Sequence, residues 1–258
     1  MFQEGFNRLK DCRHGRMLYN INDRFIGRSL DLYGECCEGE VEVFRQLLRP
    51  DSMVVEVGGN IGVLTVPLAQ MTGGGGGVIV FEPQRLCFQL LCANLALNNL
   101  QNVRAFQYAC GEAQDTILVP VLDPNTPQNF GGLELGRAAE GEPVAVVRLD
   151  DMDLPACRLI KVDVEGMELA VLKGGREMIQ RNMPALYVEN DRPEKSDELI
   201  RWIAALGYRL YHHHPRGFSP NNFAGRADDV FGNLTARNLL CVSEGATIEG
   251  LERVAVPA

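Results

Sequence analysis

The sequence lacks an excess of positive charge, a long apolar run and any paired-cysteine motif. Its 25 basic residues are outnumbered by 34 acidic ones, for a net charge of −9, which argues against broad contact with a nucleic-acid backbone. No apolar run approaches the roughly 18 residues of a membrane span, and residues 1–6 carry no apolar signal core. We therefore expect a cytoplasmic protein that binds neither nucleic acid nor membrane.

The eight cysteines contain no C-x-x-C pair, a spacing that zinc sites commonly use. Several of them lie in apolar runs, where a thiol packs as a small core residue. We expect reduced thiols and no structural disulfide. A homodimer is compatible with the sequence, but no pattern in it identifies one.

Two glycine fingerprints of nucleotide sites are incomplete. The dinucleotide pattern G-x-G-x-x-G, begun at Gly58, would need glycine at positions 60 and 63, where the sequence has Asn60 and Val63. The glycine run at 73–77 is not followed by the Lys-Ser/Thr pair of a P-loop. Both absences disfavour a nicotinamide oxidoreductase and a P-loop phosphate site.

The stretch from residue 53 to residue 69 organises the chain. It begins as a mostly apolar, β-branched run typical of a buried strand and ends in a predicted helix. Between them stands Glu56-x-Gly58-x-Asn60-x-Gly62. A glycine turn before a helix presents free backbone N–H groups to a ligand, whereas a carboxylate at Glu56 would repel a pyrophosphate. S-adenosylmethionine (SAM), with its sulfonium and α-ammonium groups, suits such a site.

Polar residues also end the next predicted strands. Glu82 follows the apolar run at 78–81, and an acid there can accept both ribose hydroxyls of a nucleoside. Cys110 lies in the turn at 109–112, which we expect to border the adenine ring. Because the carboxyl ends of parallel strands share one edge of a sheet, these residues predict one nucleoside site.

Candidates for the chemistry follow two later strands. Asp163 ends an apolar run, with Glu165 and Glu168 close behind. Three acids at one pocket mouth repel each other unless a cation or a shared proton relieves them. Glu165 and Glu168 can instead favour a helix N-terminus, so Asp163 is the better catalytic candidate. Asn190, after the next strand, would orient the acceptor.

The histidine run at 212–214 lies on a predicted strand, so His212 and His214 share one face. A metal site, a substrate-facing strand end and a solvated loop all remain open for this run. His212 is the second candidate for a general base.

Residues 1–50 form a predicted extension before the main domain. Strand-like alternation occupies 16–22 and 24–32, and a helix is predicted at 37–48. Such a segment often caps a ligand site. The residues of this extension that could face the ligand are Tyr33, Glu35 and Glu40, with solvated surface positions as the alternative for the two glutamates.

Two long loops interrupt the predicted domain, at 115–148 and 215–231. Loops of this length in a compact domain tend to be functional, and we expect them to select the acceptor. Asn129 and Phe130 are candidate pocket residues in the first of them.

With these elements placed, the chain resembles the FkbM-type family of class I SAM-dependent methyltransferases. The likeness is carried between residues 54 and 191 by VVEVGGNIGVLTVPLA, VIVFEP, CANLALNNLQNV, LIKVDVEGMELAVLKGG and LYVENDR. IKVDVEGMEL is the most specific of these, because a generic class I methyltransferase does not share it. The family usually has alanine where Gly59 stands.

The resemblance implies an α/β fold with a Rossmann-like, mostly parallel, seven-stranded sheet and helices on both faces, in a domain at 51–258. It implies that Gly58, Asn60 and Gly62 hold the methionine part of SAM and that Glu82 holds the ribose. It also implies methyl transfer, commonly to a hydroxyl oxygen. A hydroxyl of a sugar or of another small molecule is the expected acceptor.

Methyl transfer from a sulfonium is an in-line displacement, and the acceptor must lose a proton. Asp163 or His212 is the expected base. A divalent cation would lower the acceptor pKa, and Asp163 with Glu189 and Asn190 resembles the oxygen-ligand layout of catechol-type methyltransferases, which suits Mg²⁺. Strand and helix ends explain the same acids without a metal, so no metal ligand is assigned. A SAM-binding protein without turnover is the remaining alternative.

Overall fold

The central element of the fold is an eight-stranded sheet. The computed structural model describes residues 5–136, 138–243 and 250–257. Its strands in chain order are β1 (Asn7–Cys12), β2 (Gly15–Asn20), β3 (Met53–Val57), β4 (Gly77–Phe81), β5 (Val103–Phe106), β6 (Ala109–Cys110), β7 (Asp115–Val119), β8 (Glu142–Val147), β9 (Leu159–Val162), β10 (Ala185–Glu189), β11 (Tyr208–His213), β12 (Asn238–Ser243) and β13 (Glu252–Arg253). Its helices are α1 (Ile26–Tyr33), α2 (Glu38–Leu47), α3 (Thr65–Thr72), α4 (Arg85–Leu97), α5 (Glu168–Gly174), α6 (Arg176–Asn182) and α7 (Pro193–Ala205).

Five strands form the parallel part of this sheet, in the order β10-β9-β3-β4-β5. Strand β12 lies antiparallel between β10 and β11, and the short β13 pairs with the outer side of β11. The predicted Rossmann-like, mostly parallel sheet is confirmed, and β13 adds an eighth strand to the seven expected. The carboxyl ends of β3, β4, β9 and β10 therefore meet at one edge, where such folds bind ligands.

Side chains along the parallel strands alternate between two hydrophobic cores. In β3, Val54 belongs to the core that includes residues of α2, α3 and α4, and Val55 belongs to the core that includes residues of α5, α6 and α7. Strands that are apolar on both faces are expected when helices cover both sides of a parallel sheet. Among the described residues, no helix combines the length and apolar character needed to cross a bilayer.

The N-terminal extension differs from its prediction in one element. The alternation at 16–22 corresponds to β2, the second arm of an antiparallel hairpin with β1. The predicted strand at 24–32 is wrong, because these residues form α1. The carboxylate of Asp23 accepts the backbone N–H groups of Phe25 (3.1 Å) and Gly27 (3.0 Å) at the start of this helix, and Leu30 and Tyr33 are buried on one face at helical spacing.

The segment at 115–148, predicted as a long loop, contains strands β7 and β8 at its two ends. Strands β7 and β8 form an antiparallel hairpin, and β6 joins it as a parallel third strand. The long connection between β7 and β8 returns to the main sheet, where the side-chain amide of Gln84 donates to the carbonyl of Phe130 (2.8 Å) and the N–H of Gln128 donates to the carbonyl of Asn22 (3.0 Å). This connection is thereby held beside the end of β4.

Gly58 marks the closest approach between the ends of β3 and β9. Its backbone has φ +86°, and a Cβ added there would lie 1.8 Å from the carbonyl oxygen of Asp163. Its N–H donates to the carbonyl of Phe81 at the end of β4 (2.9 Å). Only glycine allows three strand ends to be drawn together around this position.

Gly58→Ala should therefore destabilise the fold more than the same change at Gly207, which has φ +88° but no heavy atom within 4 Å of an added Cβ. Gly207→Ala should lower the free energy of unfolding by about 1–2 kcal/mol, the cost of the left-handed backbone. Gly58→Ala should cost about 1–3 kcal/mol more, because overpacking is added. Urea unfolding of both variants measures the difference, and equal losses would contradict this account.

Candidate active site

A cavity of about 440 Å³ opens at the carboxyl edge of the parallel strands. Strand ends, the extension and two loops all contribute to its wall. The sheet side is formed by Glu56, Gly58, Gly59, Asn60, Glu82, Lys161, Asp163, Glu165, Glu189 and Asp191. The opposite side is formed mainly by Phe25, Ile26, Cys36, Cys37, Glu40, Pro215, Arg216, Phe231, Leu234 and Arg237.

Glu82 and the glycine loop are joined by hydrogen bonds. The two carboxylate oxygens of Glu82 accept the backbone N–H groups of Asn60 and Gln84, each at 2.8 Å. Burial raises the pKa of Glu82 to about 7. Gly58 and Asn60 line the cavity. Gly62 does not line the cavity. It allows close packing against α4, because a Cβ there would lie 2.9 Å from the side chain of Leu91.

Beneath the loop, Glu56 is fully buried (0% exposed) and lies 3.9 Å from the ammonium group of Lys161. One oxygen of Glu56 accepts the hydroxyl of Thr65 at 2.7 Å, and the other has no hydrogen-bond partner among the described residues. Burial raises the pKa of Glu56, an effect that the Lys161 charge opposes. The carboxylate thus lies in the cavity wall with one oxygen free to accept a hydrogen bond.

Lys161 is the main residue of the site that the sequence analysis missed. It is 3% exposed, and its ammonium group lies 2.9 Å from the carbonyl oxygen of Gly58 and 3.2 Å from the carboxylate of Asp163. Burial acts to lower the pKa of Lys161, but Asp163, Glu56 and Glu40 together raise it. The sequence signal that could have identified Lys161 is its charge inside the otherwise apolar strand β9.

An acidic group forms the rim beside Lys161. Asp163, Glu165 and Glu189 each offer an oxygen, and these three oxygens lie within 4.8 Å of one another. Asp163 is paired with Lys161, and Glu165 is paired with Arg192 at 2.9 Å. One oxygen of Glu189 is buried without a hydrogen-bond partner among the described residues, and burial followed by the charge of Asp163 raises the pKa of Glu189.

Four predicted site residues do not line the cavity: Gly62, described above, and Cys110, His212 and Asn190. Cys110 is buried in the hydrophobic core that includes residues of α5, α6 and α7. His212, on β11, lies beside His214, which follows the strand, with ring centroids 5.4 Å apart. The side-chain amide of Asn190 donates to the hydroxyl of Ser196 at 2.9 Å. The roles predicted for Cys110, His212 and Asn190 therefore have no support in these positions.

The histidine that connects to the cavity is His213, because strand alternation turns its side chain inward. Its Nδ1 lies 2.6 Å from the hydroxyl of Tyr187. The side-chain amide of Asn238 donates both to that hydroxyl (2.8 Å) and to Glu40 (3.2 Å). A buried polar network thus runs from β11 to a carboxylate in the cavity wall.

Tyr33 and Glu35 do not face the cavity. They bind the loop at 215–231 to the N-terminal extension. The hydroxyl of Tyr33 donates to the carbonyl of Asp228 and accepts the N–H of Val230, each at 2.8 Å. Glu35 accepts the N–H of Phe223 at 2.6 Å. These contacts hold the loop at 215–231 in its position on the opposite side of the cavity.

A narrow slot adjoins the cavity beside Glu82. Its wall includes Pro83, Phe130, Leu133 and Val164, so an apolar surface lies next to the carboxylate expected to bind ribose. Asn129 lines the main cavity. The connection between β7 and β8 therefore covers this slot through Phe130 and Leu133.

Replacing Lys161 tests its place in the site. Lys161→Met leaves Glu56 buried without a counter-charge and should lower the free energy of unfolding by about 3–5 kcal/mol. Lys173→Met removes an exposed pair with Glu198 (3.6 Å) and should change it by less than about 0.5 kcal/mol. Urea unfolding measures both. Adding Glu56→Gln to Lys161→Met should recover part of the loss, and purely additive losses would contradict the coupling.

The chain is similar in sequence to known methyltransferases. The Methyltransferase FkbM domain matches residues 56–210. The chain is 30% identical to Methyltransferase 1 of Beauveria bassiana (strain ARSEF 2860), over 48% of this chain and 58% of that protein. It is also 30% identical to Methyltransferase sdnD of Sordaria araneosa, over 49% of this chain and 61% of that protein. These matches span about six tenths of the length of the curated relatives.

A solved structure supports the fold. The methyltransferase FkbM of Methylobacillus flagellatus KT is similar over 81% of this chain and 48% of that one, with a TM-score of 0.55 and 20% identity. The domain match covers more than half of the sequence and includes the glycine loop, Glu82 and the strand end at Asp163. The chain belongs to the FkbM family of methyltransferases.

Proposed function

We propose that this protein transfers the methyl group of SAM to a hydroxyl oxygen of a small molecule, a sugar among the candidates. The observation that carries the proposal is the joint placement of Gly58, Asn60 and Glu82 in the wall of one cavity. At about 440 Å³, the cavity is within the usual size range of small-molecule sites. The eight cysteines contain no C-x-x-C pair, and we propose a reducing compartment such as the cytoplasm.

The residues present suit SAM in each of its parts. Each oxygen of Glu82 accepts one backbone N–H and keeps acceptor capacity for a ribose hydroxyl. The apolar slot between Pro83 and Phe130 suits the adenine ring. Gly58 and the unpartnered oxygen of Glu56 would hold the methionine part.

The charge of the cavity wall favours a cationic donor. The wall contains seven acidic side chains and three basic ones, which are Glu40, Glu56, Glu82, Asp163, Glu165, Glu189 and Asp191 against Lys161, Arg216 and Arg237. Such a field attracts a sulfonium and disfavours a pyrophosphate. When bound, SAM supplies the electrophilic methyl carbon, and this chain aligns the acceptor and removes its proton.

The acceptor side combines apolar surface with acids. Phe25, Ile26, Phe231 and Leu234 form its apolar wall, which would exclude water and contact the carbon frame of the acceptor. Asp163 lies at the boundary with the donor side, and its side chain is 39% exposed and paired with Lys161. The carboxylate of Asp163 is thus already engaged by the Lys161 ammonium group, at 3.2 Å.

A magnesium-assisted, catechol-type transfer is the second candidate. The close oxygens of Asp163, Glu165 and Glu189 favour it. Two observations oppose it: Lys161 and Arg192 already compensate two of these acids, and the Asn190 amide bonds to Ser196. We therefore favour transfer without a metal. SAM binding without turnover is the third possibility and is separated from both by a methyl-transfer assay.

Calorimetry with S-adenosylhomocysteine (SAH) tests the donor site without any acceptor. Glu82→Gln should weaken SAH binding about tenfold to a hundredfold, because a hydrogen bond to a charged group is worth about 1.5–3 kcal/mol. Glu142→Gln, which changes an exposed partner of Arg85 outside the cavity, should leave it unchanged. Absence of SAH binding by the wild-type protein, or full affinity in Glu82→Gln, would overturn the proposal.

Transfer from methyl-labelled SAM to separate panels of sugars, other hydroxyl compounds and amines tests the acceptor class. We expect label in hydroxyl compounds and the same rate after chelation of divalent cations. Label in amines alone would contradict the hydroxyl acceptor. A rate abolished by chelation and restored by Mg²⁺ would favour the second candidate.

A further inference from the structure

The proposed reaction needs a group that takes the acceptor proton, and Glu40 is placed for it. It lies in the first turn of α2, is 7% exposed and lines the cavity. Residue 40 precedes the segment matched by the FkbM domain, which begins at residue 56. The extension therefore brings this carboxylate to a site whose donor side is formed by the sheet.

The groups around Glu40 come from several elements. Lys161 on β9 and Asp163 after it exert opposite charge effects, Cys37 lies at the start of α2, and Asn238 on β12 donates to one oxygen of Glu40. Burial, followed by the Asp163 charge, raises the pKa of Glu40 to about 7, against the lowering effects of Lys161, Cys37 and Asn238. A carboxylate of this kind exchanges a proton near neutral pH, as an efficient general base requires.

The network behind Glu40 holds it in one orientation. Asn238 uses its amide N–H groups for Glu40 and for the hydroxyl of Tyr187, and that hydroxyl also bonds to Nδ1 of His213. Burial, followed by the neighbouring His214, lowers the pKa of His213, so the network favours a neutral imidazole. Asn238 holds one oxygen of Glu40, and the Cys37 thiol also bonds to this carboxylate, so Glu40 is fixed in the cavity wall.

We propose that Glu40 faces the methyl group of the bound donor and accepts the proton of the acceptor hydroxyl. This inference rests on the proposed function. In the step, the acceptor oxygen forms a bond to the methyl carbon, the carbon–sulfur bond breaks, and its electron pair stays on sulfur to give SAH. The hydroxyl proton passes to Glu40, which later releases it to solvent. The products are the methyl ether and SAH.

Two donor analogues test the placement of Glu40 without an acceptor. Sinefungin carries an ammonium-bearing carbon in place of the methylsulfonium, whereas SAH has a neutral sulfur. Both share the nucleoside and methionine contacts, so pH effects at Glu82 cancel in the ratio of their affinities. In the wild-type protein this ratio should shift toward sinefungin about tenfold between about pH 5.5 and 8.5, as Glu40 ionises near the added positive charge.

Glu40→Gln keeps the acceptor oxygen for Asn238 and removes the charge. It should bind SAH within about threefold of wild type but lose the pH-dependent preference for sinefungin. Glu38→Gln is the matched control, since Glu38 lies on the same helix, pairs with His14 and does not line the cavity. It should behave as wild type. A full preference retained in Glu40→Gln would overturn the inference, whereas no SAH binding by the wild-type protein would overturn the proposed function itself.

Turnover then tests the proton transfer, with an acceptor that the wild-type protein methylates. Glu40→Gln should lower kcat by about a hundredfold or more, with little change in the KM for SAM, and should remove the rise of kcat through about pH 7. Asp163→Asn should keep that rise. Retention of kcat and of its pH profile in Glu40→Gln would show that Glu40 has only a structural role.

Discussion

The sheet side of the cavity depends on one buried ammonium group. Lys161 lies within 4 Å of the oxygens of Glu56, Gly58 and Asp163. In a low-dielectric interior, two acids and a carbonyl oxygen pointing at one place would repel each other without that charge. The same ammonium group connects the loop after β3 to the end of β9, at the point where Gly58 allows their backbones to touch. The ion pairs of Lys161 thus hold the ends of β3 and β9 in their positions in the cavity wall.

The opposite side of the cavity has a different origin. Its apolar and acidic residues come from the extension and from the loop before β12, and Tyr33 and Glu35 tie these two segments together. Asp163 and Glu189, at the ends of two sheet strands, line the bottom of this part of the cavity. One wall therefore follows from the strand ends of the sheet, and the other depends on contacts between segments far apart in the chain.

This difference explains what could be predicted from the sequence. The parallel strands, the glycine loop and Glu82 are local patterns, because a strand end and the turn after it are adjacent in sequence. Cys110 was misplaced since β6 leaves the main sheet and joins the hairpin of β7 and β8. His212 was preferred to His213 because sequence alone does not show which face of β11 meets the site. Lys161 was visible as a charge within an apolar strand, but its three partners come from the folded sheet.

The FkbM match covers one side of the cavity and leaves much of the other side outside it. The match runs from residue 56 to residue 210 and contains the glycine loop, Glu82 and Lys161, while Phe25, Glu40, Phe231 and Leu234 lie outside it. The sheet side of the cavity therefore lies within the family match, whereas much of the opposite side lies in the flanking segments. Because Tyr33 and Glu35 bond the loop before β12 to the extension, a chimaera that replaces both flanks together would keep contacts that a single replacement would break.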